Sequence, residues 1–231
     1  MLDGNHRRRL CFRHERSVLI RRHFIAAAAA LLGVGPARAQ KAAAAPLILV
    51  LGDSLSAEYG LRRGSGWVAL LEQRLARESV GARVQNASIS GETTSGGRSR
   101  LPALLRQHRP AVLVIELGGN DALRGLPLQM TEDNLMWMVQ AGKQAGAKVL
   151  LVGMQVPPNY GTEYGRRFAG VFGKVAKAHK IGLVPFLLAG VGDDADPTRW
   201  FQADRIHPRE EAHPRMLDNV WPELRKLLRS S

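Results

Sequence analysis

From residue 46 onward the chain alternates between two rhythms. Short unbroken apolar runs are separated by longer stretches with an apolar residue at every third or fourth position. Leu47–Leu51, Ala111–Leu117, Lys148–Met154 and Ile181–Phe186 read as buried strands, and Arg83–Ala87 as a more polar one. Between them the period lengthens. Trp67–Glu78 puts Trp67, Leu70, Leu71 and Leu75 on one helical face, Thr131–Gln144 and Glu163–His179 read as helices, and Pro208–Leu228 as a terminal helix. A helix carrying Leu101, Leu104 and Leu105 takes Pro102 into its first turn. Ser88–Gly97 reads as a polar, Gly-rich loop, and Gly118–Asp121 as a turn. Strands alternating with helices imply βαβ units. The expected fold is α/β: one three-layer α/β/α domain over residues 46–231, with a central parallel sheet of about five strands.

The first 39 residues obey a different grammar. Seven arginines precede an uncharged stretch from Phe24 to Val34 that is too short to span a bilayer, and Ala37-Arg38-Ala39 follows as a small-x-small site. This predicts a signal peptide over 1–39, cleaved before Gln40, with an Ala-rich linker at 40–45. Arg21-Arg22-His23-Phe24-Ile25 resembles a twin-arginine export signal, with Ile20 where a polar residue usually stands. The expected location is periplasmic or secreted. The one cysteine, Cys11, falls in this leader, so the mature chain has neither a disulfide nor a Cys nucleophile.

Charge changes the picture less than its total suggests. The chain carries a formal +13, but the leader alone holds eight Arg against two acids. The remaining basic residues are spread singly or in pairs, without a stripe of interleaved aromatics, which argues against nucleic acid as a partner. No cofactor is expected. Nor is a metal, since His213 stands six residues past His207, off any helical ligand spacing, and reads as a surface histidine.

Four segments carry candidate chemistry. Gly52-Asp53-Ser54-Leu55-Ser56 follows the first strand, where an open parallel sheet binds ligands, and Ser54 is the candidate nucleophile. His207 is the candidate base, with Asp204 three residues before it, a spacing that puts both on one side of a helical turn. Asp204 would hold the ring at Nδ1 and leave Nε2 to Ser54. The same spacing reads equally as a helix cap beside a surface histidine. Gly91 and Asn120, with the Ser54 N–H, are candidate oxyanion donors; taken singly they also read as a flexible loop and a capped turn.

The segments Ile48–Ser56, Asn86–Thr93, Glu116–Asp121 and Asp204–Pro208 together resemble the four signature blocks of the SGNH (GDSL) hydrolases. Arg100–Leu105 and Pro158–Gly161 are similar to the bacterial periplasmic acyl-CoA thioesterase I / lysophospholipase / arylesterase branch. The resemblance covers roughly 46–229 and implies a monomeric serine esterase or thioesterase. Ser54, His207 and Asp204 would form the triad, and Gly91 and Asn120 would complete the oxyanion hole. It also suggests an acyl groove lined by Leu123, Val156, Pro157 and Tyr160. Glu92 and Thr94 stand where close relatives often have Asp and Ser, and Arg205 where Gly is common. A carbohydrate O-deacetylase is the alternative within the superfamily; a non-catalytic anion-binding module is the alternative outside it.

Overall fold

A computed structural model describes residues 45–229. The predicted leader, Cys11 and nearly all of the linker lie outside the described residues. Five strands form one sheet: β1 (Leu47–Gly52), β2 (Arg83–Asn86), β3 (Val112–Glu116), β4 (Lys148–Val152) and β5 (Gly182–Val184). Their order is β2-β1-β3-β4-β5 and every pair is parallel. Central strands of a parallel sheet are covered on both faces, so they must be apolar throughout. In β1 Ile48–Leu51 are buried, and in β3 the whole of Val112–Ile115. The edge strand β2 is accordingly the polar one.

The helices are α1 (Trp67–Arg77), α2 (Thr94–His108), α3 (Gly119–Leu123), α4 (Leu128–Gln144), α5 (Thr162–His179) and α6 (His213–Arg229). Neighbouring α1 and α6 form one layer; α2, α4 and α5 form the other. The chain leaves β1 toward β2, then crosses back to place β3 on the other side of β1. That reversal opens a crevice at the carboxyl ends of β1 and β3, where this class of sheet binds its ligands.

Three expectations about the helices need correction. α2 begins at Thr94, within the stretch read as a loop, so Pro102 lies in its interior and not in its first turn. Gly96 and Gly97 there serve close packing. A Cβ on Gly97 would lie 2.3 Å from Leu117 Cδ1, and one on Gly96 would overlap the Glu92 carboxylate. The Gly118–Asp121 turn continues into the short helix α3, and α4 starts at Leu128, directly after Pro127. The last helix starts at His213, after a 3₁₀ turn at Glu210–Ala212, and runs through Pro222.

Candidate active site

Ser54 follows β1 because the strand ends on a glycine. Gly52 pairs in register with Glu116 of β3, and a Cβ on it would lie 2.8 Å from both Glu116 Oε2 and Ser56 Oγ. No larger residue fits. The chain then turns tightly: the Ser56 and Ala57 N–H groups both donate to the Asp53 carbonyl, at 3.2 and 2.9 Å.

The loop bearing Asp204 and His207 comes from the other end of the chain. It is closed by an antiparallel bridge between Phe201 and Pro208, with Gln202 N–H donating to the His207 carbonyl at 2.8 Å. Gln202 Nε2 also donates to the Tyr59 carbonyl at 2.9 Å, which ties this loop to the serine loop. His207 Nε2 lies 2.8 Å from Ser54 Oγ, and its Nδ1 lies 2.6 Å from Asp204 Oδ2. The Tyr59 ring covers the imidazole, centroid to centroid 4.3 Å.

The turn joining the pair is not helical, contrary to the reading from spacing. Arg205 is left-handed at φ 58°, which lets Asp204 Oδ1 accept from both the Ile206 and His207 N–H groups at 3.0 Å. Partial burial pushes the Asp204 carboxyl up. The His207 ring and the two N–H donors outweigh it and hold the group down to about 2. An ionised Asp204 accepts from Nδ1–H, so Nε2 is left as the acceptor for the Ser54 hydroxyl proton.

Asn120 is the second residue of α3, beyond the end of β3. Its Nδ2 donates one hydrogen to Asp53 Oδ2 at 3.0 Å, while Asp53 Oδ1 accepts from the Leu55 N–H at 3.0 Å. One buried carboxylate thus clamps the serine turn and the asparagine side chain together. The burial raises Asp53 to about 6, against the pull of those two donors. Gly91 sits in a turn at φ 77°, a conformation side chains resist. Its carbonyl accepts from Arg124 Nη2 at 2.8 Å. The next residue after Asn120, buried Asp121, accepts from the Thr94 N–H at 2.8 Å and from the Thr94 hydroxyl. The loop carrying Gly91 is therefore pinned to the loop carrying Asn120.

The residues suggested for an acyl groove lie on two segments. Leu123 is half-buried at the end of α3. Val156, Pro157 and Tyr160 lie beyond β4, with β3 between them and the serine strand; Val156 faces Gly165 of α5, and Tyr160 stacks on Tyr164 at 6.4 Å. The large apolar side chains left exposed among the described residues are Tyr59, Ile89 and Ile206. Tyr59 touches His207, Ile206 precedes it, and the Ile89 N–H donates to the Gly52 carbonyl at 3.0 Å. Their position inside or beside the motif segments was the available signal.

His213 is a second correction: it is buried, not a surface residue. Its Nδ1 accepts from the Trp67 N–H at 3.0 Å at the start of α1, and its other nitrogen bonds the Pro208 carbonyl. It props the His207 loop from behind. Among the described residues no three His, Cys, Asp or Glu side chains gather as a metal site.

Residues 50–215 match the model of the GDSL-like lipase/acylhydrolase family. The chain belongs to that family. It is 54% identical over 186 residues to esterase TesA of Pseudomonas aeruginosa, covering 80% of this chain and 91% of that one. It is 42% identical over 188 residues to thioesterase 1/protease 1/lysophospholipase L1 of Escherichia coli K12, covering 81% and 88%. Among solved structures, the esterase EstA from Pseudoalteromonas sp., inhibited by monoethylphosphonate, superposes with a TM-score of 0.74 at 38% identity, over 79% of this chain and 98% of that one. The family matches the one the four segments resemble, and the five-stranded parallel sheet matches the expected fold.

Proposed function

We propose that this GDSL-family chain is a serine esterase and thioesterase that hydrolyses small acyl esters and thioesters through an acyl-enzyme. The observation that carries the reading is the continuous contact from Ser54 Oγ through His207 to Asp204, at 2.8 and 2.6 Å. Ser54 Oγ attacks the acyl carbonyl as its proton passes to His207 Nε2. The resulting imidazolium is stabilised by the ionised Asp204. The oxyanion accepts hydrogen bonds from the Ser54 and Gly91 N–H groups and from the second hydrogen of Asn120 Nδ2, the first being held by Asp53. His207 returns its proton to the leaving alcohol or thiol, leaving the acyl group on Ser54. Water, deprotonated by His207, then releases the acid.

Tyr59, Ile89 and Ile206 give the site an apolar, open rim. This suits an acyl chain better than the small closed pocket a deacetylase needs. Leu123, Val156, Pro157 and Tyr160 would extend the groove along the sheet edge. With the leader removed, the enzyme works in the periplasm or outside the cell.

Hydrolysis of p-nitrophenyl esters from C2 to C16 tests the reading. An optimum at C4 or longer is expected. Activity confined to C2 would transfer the site to the deacetylase class, and no turnover at any length would remove the esterase assignment.

A further inference from the structure

Beneath the nucleophile lies an acid that the hydrolytic mechanism does not use. Glu116 closes β3 with no exposed surface, and register sets it against Gly52, two residues before Ser54. Its Oε2 accepts from the Ser56 hydroxyl at 2.7 Å and from the Asp53 N–H at 3.3 Å. The direction of the first bond is fixed. Trp67 Nε1 can only donate, and it donates to Ser56 Oγ at 3.2 Å, so the Ser56 proton points to Glu116. Glu116 therefore grips the serine turn on both sides of Ser54, through the backbone before it and the side chain after it.

The surroundings do not suit a charge. Oε1 meets no hydrogen-bond partner among the described residues. The charged group facing Glu116 is the neighbouring Asp53; Ser56 and Trp67 are neutral. Two ionised carboxylates in one dry site repel strongly, so a proton stays on one of them. Asp53 has a donor on each oxygen, Leu55 N–H and Asn120 Nδ2, whereas both donors to Glu116, the Ser56 hydroxyl and the Asp53 N–H, fall on Oε2 and leave Oε1 bare. Burial raises Glu116 well above the ordinary carboxylic range, and the charge on Asp53 raises it further.

We propose that Glu116 is a positioning residue held as the neutral acid: it fixes the turn that aims Ser54 and leaves to Asp53 the charge that holds the Asn120 side chain. The proposal rests on Ser54 being the nucleophile. It predicts that a neutral isostere replaces Glu116 and that a side chain of similar length without an acceptor does not.

The test compares Glu116→Gln, Glu116→Met and Ser54→Ala in the purified protein, with kcat and KM for p-nitrophenyl butyrate, the pH profile of kcat/KM, and thermal melts. Glu116→Gln should keep kcat within about threefold, with the acid limb of the profile unmoved. Glu116→Met should lose about 10- to 100-fold in kcat at nearly constant KM, as expected when a nucleophile is misaimed. Equal impairment of the Gln and Met variants, or an acid limb displaced by Gln, would mean that the charge is needed and would overturn the proposal. A folded Met variant with wild-type kcat would reduce Glu116 to packing and overturn it as well. If Met fails to fold, the Gln variant alone still decides whether the group is neutral. Hydrolysis surviving in Ser54→Ala would remove the nucleophile assignment itself, whatever the Glu116 variants do.

Discussion

Asp53 holds Asn120 in place: Nδ2 donates to Oδ2 at 3.0 Å, and the same carboxylate takes the Leu55 N–H one residue past Ser54. The acid between glycine and serine in the first motif is therefore a clamp between the serine turn and the Asn120 side chain. An amide in its place would turn one of its ends into a donor facing another donor. Asp53→Asn is expected to lower kcat about 10²-fold, close to the loss of one oxyanion donor, with KM little changed. Steady-state kinetics on a short aryl ester check this; a rise in KM at constant kcat would contradict it.

The same group sets a pH dependence. Burial raises Asp53 to about 6, so its charge is lost as pH falls through that value. The clamp on Asn120 then weakens. Activity should decline below about pH 6 as that charge is lost. In Asn120→Ala, where the clamp has nothing to hold, the residual activity should lose this component. The pH profiles of kcat for the two proteins give the comparison.

His213 makes the fold acid-sensitive. Its Nδ1 accepts from the Trp67 N–H, so a proton there would put two donors face to face. Burial lowers its pKa to about 4, against the Pro208 carbonyl and the carboxylates of Glu58 and Glu210. The unfolded chain binds this proton near pH 6.5 and the folded one only near 4. The contribution is complete above 6.5 and is lost as pH falls toward 4, about 3 kcal/mol in all. His213→Gln should be less stable at pH 7.5 but lose less between pH 6.5 and 4. Urea unfolding at several pH values measures the difference; parallel losses in both proteins would contradict it.

Arg205 sits between Asp204 and His207 at φ 58°. The left-handed region costs a side chain roughly 1–2 kcal/mol, partly offset in glycine by its greater loss of chain entropy. Arg205→Gly is expected to stabilise the fold by a net of up to about 1 kcal/mol and so to raise the melting temperature slightly, with the Asp204–His207 contact intact. A lower melting temperature would mean that the arginine makes a compensating contact.

The strands were legible because a parallel sheet buried on both faces demands unbroken apolar runs, as in Ile48–Leu51 and Val112–Ile115. Ser54, His207, Asp204, Gly91 and Asn120 stood out because their residue types suit acyl transfer and their segments resemble one family. What escaped were residues whose roles depend on partners far along the chain. Glu116 reads as the polar end of a strand until its register with Gly52 is known. His213 looks solvent-facing until Trp67, 146 residues earlier, is found against it. Gly96 and Gly97 suggest a loop, because sequence cannot distinguish a glycine needed for freedom from one needed for close approach to Leu117. The Asp204–His207 contact was expected from a helical turn and is made by a left-handed residue.

The most direct measurement is labelling of the purified protein and of Ser54→Ala with a serine-directed fluorophosphonate, read by intact mass and peptide mapping beside ester hydrolysis. One adduct on Ser54, none in the variant, and a loss of hydrolysis by about 10⁴-fold or more are expected. An unlabelled wild-type protein, or a Ser54→Ala variant that still hydrolyses esters, would contradict Ser54 as the nucleophile.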